Sequence, residues 1–252
     1  MTATAIASSP SRGEVAVRPP ALADPLPIAF GIFAFVFTVY GVRFVGVDAD
    51  TLTGPTTDAL NYAILIGGIA QLLGGVLALF RGITHSAWVS SIFGIWLIGF
   101  YFLLEHPNPL GAAQDAGIIS KGPDGSALPA QVTSALQGAN TAAWHADSVS
   151  WYVLLLLVPV LILATHPVLD RNIPLIVAFI ATIVVVLLLG LAFHDVYSSV
   201  TDVTRGKATT PDLGTAVNLL RGSAYAAFLG AAAVYFLFAK TMLTADKASH
   251  AA

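Results

Sequence analysis

Residues 173–194 read IPLIVAFIATIVVVLLLGLAFH, a run without Asp, Glu, Lys or Arg in which Thr182 is the one mid-run hydroxyl. An α-helix rises about 1.5 Å per residue, so about 20 apolar positions cross the hydrocarbon core of a bilayer. Lipid offers the backbone no hydrogen-bond partners, and a helix satisfies its amides internally. The run therefore reads as a membrane span, a greasy wall supplying bulk. Five other stretches reach the same length: Pro25 to about Val47, Ala59 to Phe80, Ile83 to Leu104, Ser148 to about Thr165 and Gly222 to Met242. The fold class that follows is all-α, a polytopic membrane protein with six transmembrane helices in one domain over residues 24–244.

Composition agrees. Of the 252 residues, 56% are hydrophobic and 10% charged, against about 25% charged in an ordinary soluble domain. A water-soluble fold could not cover that much apolar surface, so lipid has to solvate it. The absence of cysteine removes disulfides, iron–sulfur clusters and thiolate chemistry, and a net charge of -3 gives no reason to expect nucleic acid as a partner. Residues 1–23, rich in Ala, Ser and Pro, lack an uninterrupted apolar core, which predicts a disordered tail rather than a signal peptide. Residues 245–252 read the same way.

An even number of spans puts both termini on one side. Arg12, Arg18, Arg81, Arg171, Lys240 and Lys247 fall on that side; Arg43, Lys121, Arg205, Lys207 and Arg221 fall on the other, largely on two long loops that translocate with little regard to charge. The expectation is a plasma-membrane protein with cytoplasmic termini. The long loops, Glu105 to Asp147 and Asp195 to Arg221, are rich in Gly, Pro, Ser and Asp, which predicts irregular structure over the outer mouth.

The second span, NYAILIGGIAQLLGG over 61–75, places Gly67, Gly68, Gly74 and Gly75 around a single amide, Gln71. The glycines predict close helix packing. Gln71 has two readings, an interhelical hydrogen bond or a group lining a solute path. In the third span Ser86, Ser90 and Ser91 fall near one face, where a hydroxyl either bonds a passing carboxylate or returns to its own preceding turn. Arg43 at the end of the first span is either an interfacial anchor or an anion-gathering group at the mouth. His85, His106, His145, His166 and the His194-Asp195 pair lie at span ends or in loops without metal-ligand or catalytic spacing. No phosphate-cradling loop or carboxylate pair is present. The chain reads as a non-enzyme without metal or cofactor.

Three ordered segments resemble the acetate uptake transporter family of bacterial acetate/succinate permeases. Asp24-Pro25-Leu26-Pro27-Ile28-Ala29-Phe30 keeps both prolines of that family's first-helix motif. Gly67-Gly68-Ile69-Ala70-Gln71, followed by the turn Arg81-Gly82 and the pair Phe93-Gly94, is similar to its central motif, and Gly230-Ala231-Ala232-Ala233-Val234-Tyr235 to its last-span motif. The resemblance implies a pore within each subunit, assembly as a homohexamer, and a hydrophobic constriction at Phe33 and Phe93, with Ile180 or Ala181 as its third member. Phe93 stands where the family has Tyr, Arg43 where it has His, and Lys240 where it has an acidic residue.

The function that follows is transmembrane transport of small carboxylates: acetate, and acids such as succinate or lactate. Arg43 gathers the anion, and Gln71 and Ser90 hand it past the Phe33/Phe93 constriction. A bare carboxylate entering the bilayer faces a desolvation cost of several kcal/mol or more. With no Asp, Glu or His at mid-span, the solute either carries its own proton or passes as an anion through a dewetting gate. The alternatives are a channel for a neutral solute such as ammonia or urea, or a non-transporting scaffold in which Gln71 and the glycines serve packing alone.

Overall fold

The computed structural model describes residues 25–48, 52, 57–105, 130–208 and 210–250. They form α1 Leu26–Val45, α2 Thr57–Phe80, α3 Thr84–Glu105, α4 Ala130–Leu155, α5 Leu157–Leu169, α6 Ile173–Thr204 and α7 Gly214–His250, with no strand among the described residues. Helices α4 and α5 are one span broken at Leu156. Pro159 has no N–H to offer the Leu155 carbonyl four residues back, and Leu156 bonds instead at the tighter spacing to Val153, at 3.1 Å. Counting that pair as one, six segments are long and apolar enough to cross a membrane. The chain is an all-α integral membrane protein.

Helix ends follow local chemistry. Asn172 caps α6 by accepting from the Leu175 amide, with Pro174 in the first turn. Gly82, at φ +72, ends α2: its amide bonds Leu79 and the next amide, Ile83, bonds Ala78, the αL closure that glycine permits without penalty.

Several boundaries differ from the sequence expectation. The segments 130–147 and 195–204, expected to be irregular, are helical extensions of α4 and α6, and α7 runs from Gly214 through His250 into the expected disordered tail. Composition misled there because it averages over a loop. Val196, Val200 and Val203 keep the helical spacing, and the helix-breaking residues cluster only between Gly206 and Gly214. Asp195 accepts from the Ala216 amide at 3.0 Å and Ser199 donates to the Asp212 carbonyl at 2.7 Å, joining the two extensions. Residues 1–24 and 106–129 lie outside the described residues, and with them the expected leader, Lys121 and His106.

Each span packs on its sequence neighbour and α7 returns to α1, closing a ring. Between apolar helices in lipid there is no hydrophobic drive to associate, so close packing has to hold the ring. On α2, Gly67 and Gly74 face Val36 and Ala29 of α1, whereas Gly68 and Gly75 face α3. Consecutive helix positions are about 100° apart and positions seven apart nearly coincide, so the two glycine pairs make two separate faces. Gln71 falls between them, toward the ring axis. The α1–α7 contact works by rings into notches: Phe228 lies over Gly41, Phe37 over Gly230 and Phe238 over Gly31. Leu154 fills the notch at Gly190, where the Ser150 hydroxyl also donates to the Gly190 carbonyl at 2.8 Å. The α3–α4 seam is closed by Trp96 and Tyr152, each donating to the other's carbonyl, at 3.4 and 3.0 Å.

Candidate functional site

Three helices present a face at alternating spacings of three and four to the ring axis. On α1 it carries Phe30, Phe33, Phe37, Tyr40 and Phe44; on α3, Ser86, Ser90, Phe93, Leu97 and Phe100; on α6, Leu175, Phe179, Thr182, Val186 and Leu189. Such a face stays in register along a helix with about 3.6 residues per turn. The aromatic 3/4 spacing on α1 was the signal in the sequence from which the axis could have been found.

Four cavities follow one another along this axis. A proximal vestibule of about 580 Å³ opens at the end of the ring that holds the start of α1, bounded by Phe30, His85, His166, Leu175 and Lys240. Phe30 and Leu175 also bound the next space, a proximal chamber of about 40 Å³ against Gln71 and Ser90. Phe33, Phe93 and Thr182 are shared between that chamber and a distal chamber, also about 40 Å³, whose walls include Tyr40, Ile64, Trp96 and Leu189. At the other end, a distal vestibule of about 250 Å³ is bounded by Arg43, Phe44, Asn61, Leu104 and Val196.

The two small chambers meet at an aromatic neck. Phe33 and Phe93 lie edge to face with ring centroids 5.1 Å apart, and Phe37 lies tilted at 37° against Phe33, its centroid 4.5 Å away. Thr182 completes the neck, but its hydroxyl is turned back to donate to the Ala178 carbonyl at 2.8 Å, so its methyl is left for the passage. In the distal chamber the Tyr40 hydroxyl donates to Ser223, which itself donates to Leu220. The hydroxyls of Thr182 and Tyr40 are thus spent on the protein, and the two small chambers are walled by apolar groups.

Gln71 is 3% exposed and donates to the Ala29 carbonyl at 2.7 Å while bounding the proximal chamber, so one side chain ties α2 to α1 and meets the cavity. Ser90 is buried on the same chamber. Ile180 is 55% exposed on the outer surface, and Ala181 packs against Gly230 of α7. Neither bounds a chamber. Two positions span about 200° on a helix, so with Thr182 facing the axis Ile180 faces away; the third member of the neck is Thr182.

Arg43 is 8% exposed and does not reach the lipid surface. Its Nη2 donates to the Leu52 carbonyl at 2.8 Å, and the guanidinium carbon sits 5.1 Å from the Phe44 ring centroid. Its Nη1 is buried without a hydrogen-bond partner among the described residues, and Arg43 is one of the residues that bound the distal vestibule. A buried donor on a cation is costly to leave unmade, and guanidinium forks fit carboxylates well.

A scan against protein-family models, a search of curated proteins and a search of solved structures each return no match.

Proposed function

We propose that the protein is a permease for small carboxylates, acetate above all and acids of similar size such as lactate or succinate, working as the resemblance to acetate uptake transporters implies. The observation that carries this reading is the file itself: a guanidinium with one nitrogen unpaired among the described residues at the wall of the distal vestibule, an aromatic neck, and Gln71 and Ser90 in the wall of the chamber beyond it. Arg43 concentrates the anion. Moving a charge through a neck lined by Phe33, Phe93 and the Thr182 methyl would cost several kcal/mol or more, so the acid crosses in its neutral form. Gln71 and Ser90 receive it as hydrogen-bonding groups. Uptake is then proton-coupled, with the distal end outside and both termini in the cytoplasm, and the exposed apolar faces of α2 and α3 meet lipid or neighbouring subunits of a homohexamer.

The first test is uptake of radiolabelled acetate into proteoliposomes, with and without an inward proton gradient. Gradient-dependent uptake supports the proposal; transport of ammonia or urea with none of any carboxylate sinks it. Gln71→Ala separates path from packing. Losing the bond to Ala29 is expected to cost about 1–3 kcal/mol of stability in either case, but a path residue also lowers uptake per folded protein, by about ten-fold for each 1.4 kcal/mol of barrier. Unchanged uptake per folded protein would make Gln71 a tether alone.

Arg43→Gln keeps a donor for the Leu52 carbonyl and removes the charge. Uptake at low ionic strength is expected to fall about ten-fold and to lose its dependence on salt, because steering of an anion toward a fixed charge is screened within a Debye length. A variant with wild-type rate and salt dependence would return Arg43 to a purely structural role.

A further inference from the structure

The proximal vestibule holds a pair of histidines that the sequence leaves 81 positions apart. His85 opens α3 and His166 lies in the last turn of α5, and their imidazoles stack with centroids 4.1 Å apart and planes 18° from parallel. Pro167 explains half of the arrangement. It has no N–H for the Leu163 carbonyl four residues back, and His85 Nε2 lies 3.1 Å from that oxygen and must donate to it. His166 Nδ1 lies 2.9 Å from the Asp170 carboxylate and donates there. In the neutral pair each ring has thus committed its N–H to the protein and keeps a lone pair, on His85 Nδ1 and His166 Nε2. Both rings bound the vestibule, one cavity away from Gln71 and the neck.

We propose that His85 and His166 form the proton-accepting site for a carboxylic acid leaving the neck, a proposal that rests on the carboxylate reading above. The acid's O–H bond breaks with its electron pair kept on the carboxylate; an N–H bond forms on the free imidazole nitrogen; the imidazolium then passes the proton to vestibule water and the pair is neutral again. Asp170 and Lys240 are the other titratable groups on the vestibule, and Arg81 and Arg171 are exposed on the adjoining turns. Asp170 holds His166 in place. The carboxylate is left against Thr84, Ser86 and Asn172, which bound the vestibule where α3 and α6 begin. Deprotonation here traps the solute, because the anion does not re-enter the apolar neck.

The test is a His85→Gln, His166→Gln double variant of the full chain in proteoliposomes. Glutamine still donates to Leu163 and Asp170 but takes no proton. Expected is an approximately ten-fold fall in gradient-driven acetate uptake and in luminal acidification, with acetate exchange at equal acidic pH on both faces unchanged, and recovery of uptake when imidazole buffer is present on both faces. Wild-type uptake in the double variant overturns the site, and so does an equal loss of uptake and exchange that imidazole does not restore. Wild-type protein that moves no carboxylate overturns the reading beneath it as well, which keeps the two failures apart.

Discussion

Gly94→Ala is expected to be the most damaging small substitution in the protein, and Gly94→Leu to prevent the ring from closing. A Cβ at Gly94 would stand 2.5 Å from the Leu72 amide nitrogen, 2.9 Å from its Cα and 2.8 Å from the Gly68 carbonyl oxygen, all backbone atoms of α2. Backbone cannot swing aside as a side chain can, so α2 and α3 must separate along their contact. The reciprocal glycine, Gly68, meets the Gly94 carbonyl and the Ile98 amide at 3.0 Å, so the two helices touch main chain to main chain. Overpacking of this kind costs about 3 kcal/mol, a large share of the roughly 5–15 kcal/mol that holds a folded domain together. Gly74→Ala is the internal control. Its Cβ would meet only the Ala29 methyl at 3.5 Å, an ordinary contact, and the helix gains up to about 1 kcal/mol in propensity. Denaturant titration in detergent, followed by the fluorescence of the four tryptophans, compares them directly. Equal stability of the two alanine variants would mean that close α2–α3 approach is not what holds the ring.

Phe93→Ala should have the largest effect on permeation. The ring is shared by both small chambers and is one of two aromatic faces that part them. Without it the chambers merge, water enters, and the barrier to a charged or longer solute falls. A reduction of about 1.4 kcal/mol is already ten-fold in rate. Acetate uptake without a proton gradient is therefore expected to rise at least about ten-fold, and butyrate to gain more than acetate. The large-to-small change also costs about 3–5 kcal/mol of stability, so Phe93→Leu, which keeps most of the volume, is measured alongside and should show the same order of preference with a smaller gain. Unchanged proton dependence and chain-length preference in both variants would remove the neck from the mechanism.

Much of the fold was legible because membrane spans announce themselves by length and charge. The run 173–194 needs no neighbour to be read as a helix, since the bilayer dictates that its amides pair internally. The glycines of α2 were legible as packing positions, but not that Gly67 and Gly74 serve α1 while Gly68 and Gly75 serve α3. Phe33 and Phe93, suggested as a constriction by alignment to a family motif, do lie against each other on the axis. Ile180 and Ala181 came from the same kind of alignment and lie off the axis, because a shift of one or two positions on a helix turns a side chain by about 100° or 200°. His85 and His166 looked unrelated in the sequence for another reason. Their meeting depends on a carbonyl released by Pro167 and on the crossing of α3 with α5, neither of which leaves a periodic mark.

That the protein lies in a membrane, how many times it crosses and where its helices pack tightly all follow from local composition and spacing, under the constraint that lipid cannot hydrogen-bond the backbone. Tertiary structure alone decided which faces meet: that Arg43 turns inward to a cavity and not outward to lipid, that Thr182 and not its neighbours completes the neck, and that two distant histidines share a vestibule. Those outcomes rest on how six helices rotate about their own axes when they close a ring. That rotation is set by the sum of many small packing contacts between helices, and no single stretch of chain contains it.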